Sequence, residues 1–117
     1  MIDLVLKLDI DRRRRLPRRV LDRLAAIVHL VIVDVHDERS PGGKGWHRVL
    51  TVRSLDGPRT RWRPTEIVAL QLLFGSDPWR EAYTLHRARL VEARAVPRYW
   101  WDKYNVLYST TSKRRAR

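Results

Sequence analysis

The first eleven residues alternate between apolar and polar side chains, and this alternation limits the folds open to the chain. The apolar positions fall on every second residue: Ile2, Leu4, Leu6, Leu8 and Ile10. A period of two predicts a β-strand with one buried face. Asp9 and Asp11 then project from the opposite face near the end of the strand, where two neighbouring carboxylates repel each other unless a cation lies between them. The pair predicts a Mg²⁺ or Mn²⁺ site at Asp9 and Asp11, with pairing to Arg12–Arg15 as the alternative.

A second motif, Ser-Pro-Gly-Gly-Lys-Gly-Trp-His at positions 40–47, separates two apolar runs. Gly42, Gly43 and Gly45 allow the backbone to turn tightly and to approach a ligand closely. Ser40, Lys44 and His47 contribute a hydroxyl, a fixed positive charge and an imidazole, a combination that suits a phosphate group. Local chemistry favours a plain β-hairpin turn to the same degree.

The other patterns predict the elements around these motifs. In order they are a helix from Pro17 to Val28, strands at Ile27–Asp37 and His47–Arg53, helices at Thr65–Phe74 and from Pro78 onwards, and a last strand at Asn105–Thr110. This order predicts an α+β fold of the ferredoxin-like or RNA-recognition-motif-like split βαβ type, an antiparallel sheet with helices on one face. Strands one and three are neighbours in that fold, so Asp9 and Asp11 are expected near His47, with the glycine segment overhanging them. Residues 1–111 form the expected single domain, and 112–117 a basic mobile tail.

Two further groups of residues have predominantly structural interpretations. Asp77 precedes Pro78 and is expected to cap the helix that starts there. Trp79, Ala82, Tyr83, His86 and Leu90 share one face of this helix, and His86 is expected to pack rather than to catalyse. The segment Asp34–Asp37, at the end of the second strand, also places acids two or three residues apart and competes with Asp9 and Asp11 as the candidate metal site.

The charge of the chain predicts a polyanionic partner. The formal net charge is +12, and only four of the 25 basic residues are lysine. Arginine pairs with phosphate in a bidentate manner and stacks on bases, so DNA or RNA with a single-stranded portion is the expected partner, although an arginine-rich genome would produce the same bias. The candidate contacts are Arg12, Arg13, Arg14, Arg15, Arg59, Arg61, Trp62, Arg63 and Arg80. The loop around Trp62 has an alternative interpretation, in which the indole is buried and pins the loop.

Composition excludes several classes of protein. The absence of cysteine excludes disulfides, thiolate metal sites and a cysteine nucleophile. The longest apolar stretch, Leu24–Val33, is too short to cross a bilayer, and the start lacks the pattern of a signal peptide. The expectation is a soluble, cytoplasmic protein without a membrane partner.

Two motifs in order, Asp-x-Asp at the end of an apolar strand (Leu6–Asp11) and Ser-x-Gly-Gly-Lys-Gly-x-His (Ser40–His47), resemble the archaeo-eukaryotic primase superfamily. This family includes the primase-polymerases and the polymerase domain of bacterial end-joining ligases, and the resemblance covers the first half of the chain. It implies metal-dependent nucleotidyl transfer from nucleoside triphosphates, with Asp9, Asp11 and His47 in the catalytic site and the triphosphate held by the segment from Ser40 to His47.

Family members carry a third carboxylate on a later strand. In this chain no later strand supplies an obvious one, which leaves Asp77 and Asp102 as candidates. The segment Leu73–Glu81 resembles segments in small replication-type proteins of archaeal viruses and mobile elements.

Three other functions compete with this interpretation. A non-catalytic protein of the same fold would bind single strands with strong salt dependence and no metal requirement. A rolling-circle type endonuclease would use a His-x-His metal site and a tyrosine nucleophile, and no two of the four histidines have that spacing. A basic protein that coats nucleic acid would explain the charge but gives Asp9, Asp11 and the glycine segment no role.

Overall fold

The computed structural model describes residues 3–11, 15–57, 59 and 61–107, and in them the chain forms an α+β fold. The elements are β1 (Leu4–Ile10), α1 (Arg18–Ile27), β2 (Leu30–Arg39), β3 (Trp46–Ser54), α2 (Pro64–Leu73), α3 (Pro78–Glu92), a 3-10 turn (Arg98–Trp100) and α4 (Trp101–Tyr104). The predicted tail 112–117 and Arg12–Arg14 lie outside the described residues.

The three strands form an antiparallel sheet in the order β1-β3-β2. Because β3 pairs antiparallel with both neighbours, β1 and β2 are parallel and are separated by one strand. This is the split βαβ arrangement that the sequence predicts, with α1 as the crossover. The predicted fold class is confirmed.

Alternation in β1 determines which face of the sheet is covered. Leu4, Leu6, Leu8 and Ile10 are all buried, and they pack in one core with Leu50 and Val52 of β3 and with helix residues such as Phe74. The odd-numbered positions of β1 face the other side, which is partly exposed. The side chains of Asp9 and His47 belong to this open face.

The outer edge of β1 is covered by side chains and by the turn between α2 and α3. The N–H of Lys7 donates to Gln71 Oε1 at 3.0 Å, and the carbonyl of Lys7 accepts from Arg80 at 3.1 Å. The N–H of Asp9 donates to Ser76 Oγ, and its carbonyl accepts from the N–H of Asp77 at 2.6 Å. A ferredoxin-like fold places its fourth strand at this edge. These contacts satisfy the backbone groups of an edge strand without another strand.

The predicted last strand is wrong for Asn105, Val106 and Leu107, which form no strand, and its remainder lies outside the described residues. A short helix ending at Tyr104 precedes this segment, and the side chain of Asn105 is buried. The predicted start of β2 is also wrong, because α1 continues through Ile27 and β2 begins at Leu30. An apolar run shared by a helix end and a strand start does not reveal the boundary between them. Among the described residues, every helix is too short or too polar to serve as a membrane span.

A bulge near Val33 turns Asp37 toward the covered side of the sheet, where it pairs with buried Arg48. Arg48 donates to both carboxylate oxygens of Asp37, at 2.7 and 3.0 Å, and to the carbonyl of Leu16 at 2.7 Å. Arg15 adds a third hydrogen bond to the same carboxylate. The hydrogen bond from Arg48 is the main cause that lowers the pKa of Asp37 below its ordinary value of 3.8, against the opposing effect of burial.

Acidification is therefore expected to destabilise the protein as Asp37 is protonated. Because the pKa of Asp37 is lower in the folded chain than in the unfolded chain, its contribution is complete above pH 3.8 and is lost as the pH falls through the folded value. Asp37→Asn should reduce the free energy of unfolding at pH 7 by about 2 kcal/mol. In this variant the free energy of unfolding should also fall less steeply as the pH is lowered. Urea unfolding between pH 7 and pH 2 measures both effects. Asp22→Asn, which breaks only an exposed pair with Arg18, is the control and should cost less than about 0.5 kcal/mol.

Candidate nucleotide and nucleic-acid site

The register between β1 and β3 brings Asp9 and His47 together. The two residues are direct partners across the strands, and His47 Nε2 lies 3.7 Å from Asp9 Oδ1. The imidazole is 13% exposed and the carboxylate 39% exposed, so the carboxylate is the more accessible of the two from the open face. A carboxylate and an imidazole in contact, on a face open to solvent, can hold a cation or a phosphate group.

The glycine segment forms a closed hairpin turn between β2 and β3. Ser40 and Gly45 are joined by a backbone hydrogen bond of 3.0 Å, and the N–H of Gly45 also donates to Ser40 Oγ at 2.9 Å. Gly42 and Gly43 have φ angles of 89° and 71°, in the region that favours glycine. The hydroxyl of Ser40 thus stabilises the turn by accepting a hydrogen bond, while its own proton remains able to bind a phosphate oxygen.

This turn packs directly on the end of β1. A Cβ atom on Gly45 would fall far inside contact distance of the carbonyl oxygen of Ile10 and 3.3 Å from the Cα of Asp11. Glycine is needed at this position because the two backbones touch. The glycine segment and the acidic end of β1 are therefore adjacent, as the fold predicts.

Positive side chains surround the turn. Lys44 is exposed on it, and Arg39, at the end of β2, donates to the carbonyl of Gly43 at 2.9 Å. The guanidinium carbons of Arg15 and Arg39 lie 3.5 and 4.8 Å from the ring centroid of Trp46. Arg39 and Trp46 are not among the residues that the sequence predicts for this cluster. The signal was present, because a hairpin turn over 40–45 makes Arg39 and Trp46 cross-strand partners.

Asp11 lies in a different environment from Asp9. It follows the last residue of β1 and lines a cleft of about 440 Å³ together with Asp77 and Trp79. Asp77 caps α3, since its carboxylate accepts from the N–H of Trp79 at 3.3 Å, as the sequence predicts. Asp102, the other candidate for a third carboxylate, lies near Leu4 and Val5 at the opposite end of β1.

On the open face His47 is the cross-strand partner of both Asp9 and Glu38, and Asp11 shares a cleft with Asp77. Within residues 3–11, 15–57, 59 and 61–107, no group of three or more such side chains is gathered as a metal site. The other candidate metal site, Asp34–Asp37, is divided between the two faces of the sheet. His36 pairs with Glu38 on the open face, while Asp37 binds Arg48 on the covered face. Carboxylate oxygens suit Mg²⁺ and Mn²⁺, so Asp9 and Asp11 remain the donors of the right chemistry at this end of β1.

The loop before α2 adopts the structural alternative, in which the indole is buried. Trp62 is buried, and Arg59 covers its ring at 3.9 Å while donating to both oxygens of Glu66. Trp62 therefore pins the loop and does not offer a ring to a base. Arg61 and Arg63 remain exposed, although Arg63 also reaches Glu92 at 3.4 Å.

Arg80 and Arg15 are held by neighbours in the fold. Arg80 is only 13% exposed and donates to the carbonyls of Lys7 and Val106 and to the side chains of Glu81 and Asn105. This position gives Arg80 an internal role rather than a nucleic-acid contact. Arg15 is partly exposed beside Trp46 and the glycine turn, where it can approach a phosphate.

Comparison with known proteins assigns no family to the chain. No family model, no curated protein and no solved structure matches it. The chemistry of the site therefore follows from its own residues.

Proposed function

We propose that this protein is a nucleic-acid-binding replication protein that, in the manner of a minimal primase-polymerase, carries out metal-dependent nucleotidyl transfer at the end of β1. One observation carries the proposal: Asp9 faces His47 across two paired strands, and the glycine turn packs on the next residue of β1. An acidic strand end and a cationic turn then face one triphosphate from two sides.

The turn supplies groups that suit the phosphates of a nucleotide. Lys44 contributes a fixed charge and Ser40 a hydroxyl proton, while Arg15 and Arg39 add positive charge from the covered side of the sheet, where they lie over the Trp46 ring. His47 is half-buried beside Asp9, and the carboxylate favours one orientation of the imidazole. In this proposal His47 donates an N–H to a phosphate oxygen.

Mg²⁺ or Mn²⁺ would be held by the carboxylates at this end of β1, Asp9 next to His47 and Asp11 in the cleft that it shares with Asp77. A cation at these carboxylates would neutralise the charge that develops on the phosphates during nucleotidyl transfer. Asp77 is the candidate for a third carboxylate, since it shares the cleft of Asp11. Asp102 is not, because it lies at the other end of β1.

Replacing Asp9 by asparagine tests the proposal directly. The variant keeps the size of the side chain and removes the charge, so template-dependent incorporation of nucleotides in Mn²⁺ or Mg²⁺ should fall about a hundredfold. A gel assay with a labelled primer on a longer template measures it. Asp34→Asn, which removes an exposed carboxylate from β2 on the same open face, is the matched control and should retain activity.

Incorporation that is unchanged in Asp9→Asn, with both variants folded by circular dichroism, would reject the assigned site. Absence of incorporation by the unmodified protein would reject the catalytic proposal. The protein would then be a non-catalytic single-strand binder of the same fold. That function predicts salt-dependent binding without a divalent cation.

A further inference from the structure

Helix α3 turns its aromatic face outward. The side chains that it buries are Glu81, Thr84, Ala88 and Val91, whereas Trp79 is 77% exposed and Tyr83 is 66% exposed. The sequence pattern predicts that this face is buried, because Trp79 and Tyr83 lie on the side of the helix that carries most of its large apolar groups. Large aromatic rings left in water on one face of a helix are typical of a binding surface.

These rings continue across the surface as a row, defined here as Trp79, Tyr83 and Tyr104. Trp79 and Tyr83 are four residues apart on α3, so they lie on one side of the helix and about 6 Å apart along its axis. Tyr83, Arg87 and Tyr104 line one hollow of about 170 Å³, and the guanidinium carbon of Arg87 lies 5.4 Å from the ring centroid of Tyr104. The aromatic row thus joins α3 to α4 and has a cation beside it.

The charge of this surface fits a polyanion. From Pro78 to Val91 the one carboxylate in the sequence is Glu81, which is fully buried; Asp77 caps the start of the helix, and Arg87 and Arg89 lie at least partly in solvent. The open face of the sheet differs, since Asp9, Asp34 and Glu38 project from it. Arg87 and Arg89 therefore attract a phosphate backbone to the outward side of α3.

We infer that the aromatic row binds a single strand of nucleic acid, with bases stacked on Trp79 and Tyr83 and the backbone held by Arg87. The row begins at the cleft that Asp11 and Asp77 line, because Trp79 is part of that cleft. A strand on the row would lead to the proposed site of nucleotidyl transfer. The inference rests on the proposed function for its choice of partner, but the binding itself needs neither cation nor nucleotide.

Binding of a fluorescein-labelled oligothymidine of about 12 nucleotides, measured by anisotropy in EDTA, tests this inference. Trp79→Ala and Tyr83→Ala should each weaken binding about tenfold, since a stacked base contributes of this order. Trp79→Phe and Tyr83→Phe should recover most of the affinity because they keep a ring. Tyr99→Ala removes a tyrosine of similar exposure outside the row and should bind as the unmodified protein does.

The salt dependence separates stacking from charge. In Trp79→Ala the affinity should drop at every salt concentration with an unchanged slope, whereas Arg87→Gln should reduce the slope of log affinity against log salt by about 1. Equal affinity of the double variant Trp79→Ala/Tyr83→Ala and the unmodified protein would overturn the inference. A dimer that this double variant converts to monomer in sedimentation would overturn it too, by assigning the row to a second copy. If the unmodified protein binds the oligonucleotide but incorporates no nucleotides, the proposed function is rejected and the inference about the aromatic row is kept.

Discussion

Gly45→Ala is expected to destabilise the protein by about 3 kcal/mol, because the new methyl group overlaps the backbone of β1. The added Cβ would meet the carbonyl oxygen of Ile10 and, at 3.3 Å, the Cα of Asp11. Ile10 is fixed by its pairing with Trp46, so the overlap is relieved only if the hairpin turn moves away from β1. Urea unfolding followed by circular dichroism measures the loss as a lower midpoint with an unchanged slope.

Gly42→Ala is the matched control for this experiment. Gly42 lies in the same turn with φ 89°, and a Cβ there would meet no atom within 4 Å. Its cost is the strain of a left-handed alanine alone, about 1 kcal/mol. Equal midpoints for the two variants would mean that the turn does not press on β1, and the proposed triphosphate site would lose its geometric basis.

Most of the three-stranded sheet could be predicted from the sequence because its signal is local, although the strand predicted from Asn105 does not form at 105–107. Alternation at Leu4, Leu6 and Leu8 determines the buried face of β1, and the turn chemistry at 40–45 determines the hairpin register. Together with the order of the elements along the chain, these two facts predict the split βαβ topology, and with it the contact between Asp9 and His47. Both sides of the candidate site were therefore predictable.

The helical half was less predictable because its contacts are long-range and polar. Gln71, Ser76 and Arg80 bind the edge of β1 from more than 60 residues away, and no periodicity in the sequence reports such pairs. The orientation of α3 follows from them. Since Glu81 must face this polar cluster, Trp79 and Tyr83 must face solvent, although apolar periodicity predicts the reverse.

The buried polar cluster at the edge of β1 explains why Arg80 contributes to folding rather than to binding. Glu81 is fully buried, and its carboxylate accepts from Arg80, from Ser76 Oγ at 2.7 Å and from Gln71 Nε2 at 2.7 Å. Asn105 closes the cluster by accepting from Gln71 at 2.9 Å and donating to it at the same distance. Each of these hydrogen-bonding groups depends on the others, since a buried polar group without a partner is costly.

Arg80→Met is expected to reduce the free energy of unfolding by about 3–5 kcal/mol, because it leaves the carboxylate of Glu81 buried without a cation. The methionine keeps most of the apolar stem but loses the donors to Lys7, Val106 and Asn105. Chemical unfolding at pH 7 measures the effect. Arg63→Met is the control, since its ion pair with Glu92 is long and Arg63 is exposed, and it should cost less than about 1 kcal/mol.

The double variant Arg80→Met/Glu81→Met separates the charge from the shape of the side chain. Replacing both members of a buried ion pair by apolar groups is far less costly than removing one, so the double variant should be more stable than Arg80→Met alone. A phosphate contact at Arg80 predicts a different result: unchanged stability, weaker binding of every oligonucleotide, and a smaller salt slope. That result would assign Arg80 to the nucleic-acid surface. It would also contradict the explanation that the buried cluster of Arg80 and Glu81 orients α3 with Trp79 and Tyr83 outward.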